Sequence, residues 1–240
     1  MKGAGTERMA GKSEWAARFE ALAKEARHPA LQKFYRAGVI AAQTPIEQVQ
    51  LLAMDVETTG LDAQAHSIVS IGLIPFTLQR IRCGQALYWV VKPQSELNEK
   101  SVTFHHITHT DIRNAPALTE VVEALLDAMA GRVMVVHYRN IERGFLDRAF
   151  HRHLGEGLQF PVIDTMQLEA RMHRQKRSWL DRLLRRPQLS IRLADSRARY
   201  NLPPYHAHHA LTDALATAEL LQAQIASHYL PSTPIAALWD

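Results

Sequence analysis

The sequence predicts an α/β fold: a mixed five-stranded sheet with helices on its faces and a helical extension at the N-terminus. Three observations lead there. Residues 49–56, 68–74 and 87–91 are consecutive runs rich in β-branched or aromatic residues, separated by turn-like segments. From residue 118 onward, segments of helical period alternate with two more short apolar runs. The chain has 240 residues, 47% hydrophobic and 22% charged, enough for one large or two small packed domains.

The elements follow in order. Trp15, Phe19, Leu22 and Ala26 recur at helical spacing, and Pro29 opens a second run carrying Leu31, Phe34 and Tyr35. Gly38 and Pro45 punctuate the exit, so residues 1–46 read as a helical hairpin packed on the main body. Residues 118–129 have helical period and stop at Gly131. Residues 133–137 form a fourth strand, 141–154 a helix and 160–163 a fifth strand. Further helices are expected around 165–173, 191–200 and 209–228. The domain plan is an extension over 1–46, a main domain over 47–229 with an Arg-rich insertion at 171–190, and a tail over 230–240.

Composition excludes several classes. Cys83 is the sole cysteine, so neither an internal disulfide nor a Cys-rich zinc site can form. No apolar stretch approaches the roughly 18–20 residues of a membrane span, and charges interrupt the N-terminus where a signal core would lie. A cytoplasmic protein with no membrane partner is the expectation. The net charge of +4 is uneven: between Arg171 and Arg199 there are ten Lys or Arg against Asp181 and Asp195. That segment carries +8 and points to a polyanionic partner or to a solvated helical face.

Four places break apolar patterns with reactive residues. Asp55 and Glu57 end the first strand on one face, close enough to repel unless a cation lies between them. His137 ends a strand, and Glu142 opens the helix behind it. His208 precedes Asp213 by five positions, about 140° apart on a continuous helix, so both can aim at one point only if His208 lies in the entering loop. Pro203 and Pro204 favour that arrangement. The fourth place is the His-rich stretch 104–109, where His105, His106 and His109 read as loop or pocket-lining residues. If Asp55, Glu57, Glu142 and Asp213 converge, two divalent cations would balance them. Oxygen-only ligands select Mg²⁺ or Mn²⁺, the pair of ions that cleaves phosphodiesters in line.

DVETTGL at 55–61, the pattern from His137 to Leu146, and His208-x-Ala210-x-x-Asp213 together resemble the DEDD superfamily of 3′–5′ exonucleases, in its His subclass. SIVSIG at 67–72, FHHIT at 104–108 and VIDT at 162–165 are smaller echoes. The resemblance, over about residues 50–228, implies a ribonuclease-H-like fold and release of 5′-mononucleotides from the 3′ end of a single strand, DNA rather than RNA. It implies Asp55, Glu57, Glu142 and Asp213 as ligands of two cations and His208 as the base that deprotonates the attacking water. It further implies that Thr58, Thr59, Gly60 and Leu61, with His105 and His106, line the terminal-nucleotide pocket. Arg174, Lys176, Arg177, Arg185 and Arg186 are expected on upstream phosphates, and a polymerase or a second copy of the chain as a further partner. Three departures stand out: Glu142 where the family has Asp, Tyr138 where Asn is common, and His106 where Gly is usual. Asp147 is the alternative third acid. A binding or scaffolding protein weakened at Glu142 is the rival to an enzyme.

Overall fold

The computed structural model describes residues 15–96, 102–103, 106–174 and 188–240. The extension forms α1 (Trp15–Glu25) and α2 (Pro29–Arg36), with Pro29 at the first turn, where its missing N–H costs nothing. Then come β1 (Leu51–Thr58), β2 (Ile68–Phe76), β3 (Leu87–Val90), α3 (His109–Arg113) and α4 (Leu118–Met129). The chain continues through β4 (Val133–Val136), α5 (Arg139–Leu154), β5 (Val162–Asp164) and α6 (Thr165–Glu169), the last running into a π turn at Ala170–Arg174. It ends with α7 (Leu193–Arg199) and α8 (Ala210–His228). The expected elements appear in the expected order, with boundaries displaced by one or two residues, and α3 is an additional short helix in the stretch before α4.

The sheet order is β3-β2-β1-β4-β5. β1 pairs antiparallel with β2 and parallel with β4, and β4 pairs parallel with β5. The sheet is therefore mixed, and the C-terminal ends of β1, β4 and β5 lie along one edge. Helices leave that edge for both faces.

Period two along β1 divides the core. Leu52, Met54 and Val56 pack with α1, α2, α4 and α5. Leu51 and Ala53 pack on the other face with α8. Asp55 and Glu57 continue the second parity, so they point to the side that α8 covers.

The extension belongs to the main core. Phe19, Leu31, Phe34 and Tyr35 are buried with Leu52 and Met54, and the Phe19 ring lies 5.2 Å edge-on from that of Tyr35. Each such side chain contributes about 1.5–3 kcal/mol by burial. The C-terminal residues are also built in: Trp239 is buried and bridges Ile163, and the Asp240 N–H donates to the Val162 carbonyl at 2.9 Å. Among the described residues no helix is long and apolar enough to cross a membrane.

Candidate active site

One glycine sets how closely α8 approaches the acids of β1. Gly72 faces Asp55 across the β1–β2 ladder. A Cβ there would lie 2.4–2.6 Å from backbone atoms of Ala210 and Leu211. The first turn of α8 therefore rests directly on β2, and Asp213 in that turn meets the β1 carboxylates. Oxygen atoms of Asp55, Glu57 and Asp213 lie within 4.8 Å of one another.

Such proximity is unfavourable without a counter-charge. Burial, then Glu142, Asp213 and Glu57, push the Asp55 carboxyl well above the usual range. Burial and Asp213 push Glu57 up to about 7. Asp213 is raised by burial, with the His208 N–H and the Tyr205 hydroxyl acting against the rise. Asp213 Oδ1 and Glu142 Oε2 are buried without a hydrogen-bond partner among the described residues. A cluster of carboxylate oxygens with orphaned lone pairs fits a hard divalent cation.

Glu142 stands beside this group rather than in it. It is 1% exposed, in the first turn of α5, and its charge is felt at Asp55. Burial, then Asp164, raises its own carboxyl well above the ordinary range. Asp147 is elsewhere: its Oδ1 accepts the Leu158 N–H at 3.1 Å and lies 3.8 Å from His151.

The start of α5 is held by Asp164 and His137. Asp164 caps α6 through Met166 and Gln167 and also accepts the N–H groups of Tyr138 and Arg139 at 3.1 and 3.2 Å. His137 is half-buried, and desolvation of its ring drops its pKa to about 4, so it is neutral at pH 7. Its Nε2 lies 3.1 Å from the Ile191 carbonyl and its Nδ1 2.8 Å from Thr165 Oγ1. The Ile191 carbonyl only accepts, so Nε2 carries the proton of the neutral ring, and the single Thr165 hydroxyl hydrogen is divided between Nδ1 and the Val136 carbonyl at 3.0 Å. His137 fastens the return of the chain at Ile191, with both ring nitrogens engaged inside the fold.

Two departures from the family pattern share a physical cost. Tyr138 has φ 88° and His106 has φ 58°, the left-handed region where Asn and Gly are favoured. Tyr138→Asn is expected to raise thermal stability by about 1 kcal/mol, read from the unfolding midpoint. No gain would mean that the Tyr138 ring makes good the backbone strain.

His208 lies in the loop before α8, as its spacing requires, with φ 71°. Its N–H donates to Asp213 Oδ2 at 2.8 Å, so the backbone of the histidine is fixed to the acid. His209 stacks on Tyr88, ring centres 4.7 Å apart. Sequence reasoning missed two supports of this loop. The Tyr205 hydroxyl bonds Asp213, and its own pKa is pushed above the ordinary tyrosine range by burial and Asp213. Arg197 is buried, pairs with Glu219 at 2.7 Å, donates to the Pro203 carbonyl and lies 5.0 Å from the Tyr205 ring centre. No local pattern marks Tyr205, because its partner follows a loop.

The β1–β2 loop divides its roles. The Thr58 hydroxyl donates to the Gly60 carbonyl at 2.7 Å. Thr59 is buried, bonded to Ser95 and to the Ser67 N–H, and so organises the loop from inside. Gly60 leaves room for the His66 ring, which a Cβ would meet at 2.5 Å. Leu61 is 85% exposed. His106 is exposed, while His105 lies outside the described residues.

Of the basic segment, Lys176, Arg177, Arg185 and Arg186 lie outside the described residues, as does the Arg174 side chain. Arg171 pairs with Asp240, Arg197 with Glu219 and Arg199 with Glu169. Those three positive charges are structural.

A family model described as "Exonuclease" matches residues 52–221. The chain belongs to the exonuclease family. That exonuclease region includes Asp55, Glu57, Glu142, His208 and Asp213. The chain is 26% identical over 184 residues to the PolC-type DNA polymerase III of Thermotoga petrophila, covering 75% of this chain and 12% of that protein. It is 26% identical over 149 residues to the DNA polymerase III subunit epsilon of Pasteurella multocida, covering 58% of each. The chain thus spans little more than half of the epsilon subunit and about an eighth of the PolC protein. Exonuclease X, solved with 5′ overhanging duplex DNA, superposes with a TM-score of 0.56 at 21% identity, over 74% of this chain and 92% of that one. The fold is that of the exonucleases.

Proposed function

We propose that this chain is a 3′–5′ exonuclease that removes 5′-mononucleotides from the 3′ end of a single strand, using two divalent cations, Mg²⁺ or Mn²⁺. The observation that carries the proposal is the convergence of Asp55, Glu57 and Asp213 within 4.8 Å, with buried oxygens lacking partners. These three would hold the cations, with Glu142 completing the set beside Asp55. When bound, such cations supply Lewis acidity and offset charge on the attacking and departing oxygens.

The residues of the chain do the rest. His208 accepts the proton of the attacking water, held near Asp213 by its own backbone. Tyr205 orients the Asp213 carboxylate. The exposed Leu61 side chain packs against the terminal base, and Thr58, Gly60 and His106, with Thr59 shaping the loop from beneath, line the pocket with His105. Arg174, Lys176, Arg177, Arg185 and Arg186 hold upstream phosphates. The unit doing this work is residues 47–229, on a core shared with the N-terminal helices. DNA is favoured because the two polymerase relatives are DNA enzymes and Exonuclease X was solved with DNA. The epsilon likeness makes a polymerase the favoured partner.

The test is digestion of a 5′-labelled oligonucleotide with Mg²⁺ or Mn²⁺. A ladder shortening from the 3′ end supports the proposal. Binding without cleavage, under either ion, would leave a nucleic-acid-binding scaffold instead. His208→Ala should lower the rate about 10²–10⁴-fold and flatten the rise of activity with pH through the imidazole range. An unchanged rate and profile would move the base elsewhere.

A further inference from the structure

A cluster of cationic and titratable side chains lies beside the β1–β2 loop. The loop, the segment after β3 and the outer face of α5 enclose a pocket lined by His66, Lys92, Arg148, Arg152 and His153. Among the described residues no acidic side chain lines it. Its floor is apolar, with Ile68, Val91 and Phe145. Arg148 and Arg152 lie four apart on α5, and so on one face.

The groups are not equivalent. Arg152 is committed to the loop, donating to the His66 carbonyl at 3.3 Å and to the Gln64 carbonyl. Arg148 Nε is buried and has no hydrogen-bond partner among the described residues. Burial and the Arg152 charge lower the pKa of His153, as expected beside an uncompensated cation. Lys92 is exposed at the rim, its backbone N–H fixed to the Pro116 carbonyl at 2.9 Å. A buried guanidinium N–H without an acceptor, under like charges, is an anion site waiting for its ligand.

We propose that this pocket binds a phosphate group, with Arg148 and Lys92 as its principal donors. The five cationic or titratable groups line a space with no carboxylate among the described residues, and guanidinium with ammonium suits the tetrahedral anion. The pocket touches the nucleotide-facing loop: His66 Nδ1 lies 3.3 Å from Thr59 Oγ1, and Gly60 abuts the His66 ring. An occupied pocket would brace that loop. The phosphate comes either from an upstream position of the nucleic-acid strand or from a free nucleotide.

Calorimetric titration with inorganic phosphate in cation-free buffer tests the site, since the carboxylate cluster repels phosphate under those conditions. Binding is expected in the wild type, about ten-fold weaker in Arg148→Gln and in Lys92→Gln, and largely kept in Arg148→Lys. Lys92→Gln alters an exposed side chain, so it reads the site even if Arg148→Gln fails to fold. The source follows from activity. A raised KM for long strands but not dinucleotides in Arg148→Gln assigns the pocket to the strand. Relief of inhibition by added 5′-mononucleotide, with KM unchanged, assigns it to the free nucleotide. Absence of phosphate binding in the wild type, or binding in both Gln variants as tight as in the wild type, overturns the proposal.

Discussion

Asp55→Asn and Asp213→Asn are each expected to reduce hydrolysis by more than the roughly 100-fold that loss of an outer-shell partner costs at a metal site. Their effects on stability should differ. Asp55 is pressed by three other carboxylates, so replacing it with the neutral amide should raise stability in cation-free buffer. Asp213 also accepts the His208 N–H and the Tyr205 hydroxyl, and its amide satisfies only part of that demand. The gain there should be smaller or absent.

The pH dependence follows from Glu57. Folded, it holds its proton up to about pH 7, whereas an unfolded Glu loses it near 4.5. Its stabilising contribution is fully present below about pH 4.5 and lost as pH rises through about 7. Cation-free wild type should therefore lose stability across that window, and Mg²⁺ should restore it most above pH 7. Thermal unfolding against pH reads this directly. A flat wild-type profile that Asp55→Asn leaves unchanged would show that the carboxylates do not repel.

Gly72→Ala is expected to cost about 100-fold in turnover without touching any ligand. The added methyl would meet backbone atoms of Ala210 and Leu211 at 2.4–2.6 Å, and no side-chain rotation relieves a backbone clash. The start of α8 must move out by on the order of 1 Å, carrying His208 and Asp213 away from Asp55 and Glu57, a displacement that commonly costs about 10²-fold. Overpacking should also lower stability by about 1–3 kcal/mol. Gly84→Ala, at a position with open space around it, is the control and should behave as wild type. Wild-type turnover in Gly72→Ala would mean that α8 does not set the geometry.

Much of this was legible in the sequence because local physics carried it. The period-two pattern of β1 put Asp55 and Glu57 on one face, and the consecutive prolines kept His208 out of the helix that holds Asp213. Helical spacing separated Asp147 from Glu142, and the structure places Asp147 against Leu158. What escaped depends on contacts distant along the chain. Gly72 matters because a helix starting 138 residues later lies on it. Tyr205 and Arg197 matter through a loop whose course no periodicity gives. Arg171, Arg197 and Arg199 counted toward a basic patch, yet each has an acidic partner inside the fold. Tyr138 and His106 read as departures in type, and only their φ values reveal the shared backbone strain.

The most direct test of the central claim, that these carboxylates hold the cations for hydrolysis, is a count of Mn²⁺ bound per chain by electron paramagnetic resonance, alongside turnover of the same samples. The account predicts two ions on the wild type, and loss of at least one ion together with activity in Asp55→Asn and Asp213→Asn. Mn²⁺ binding that neither substitution alters would contradict it.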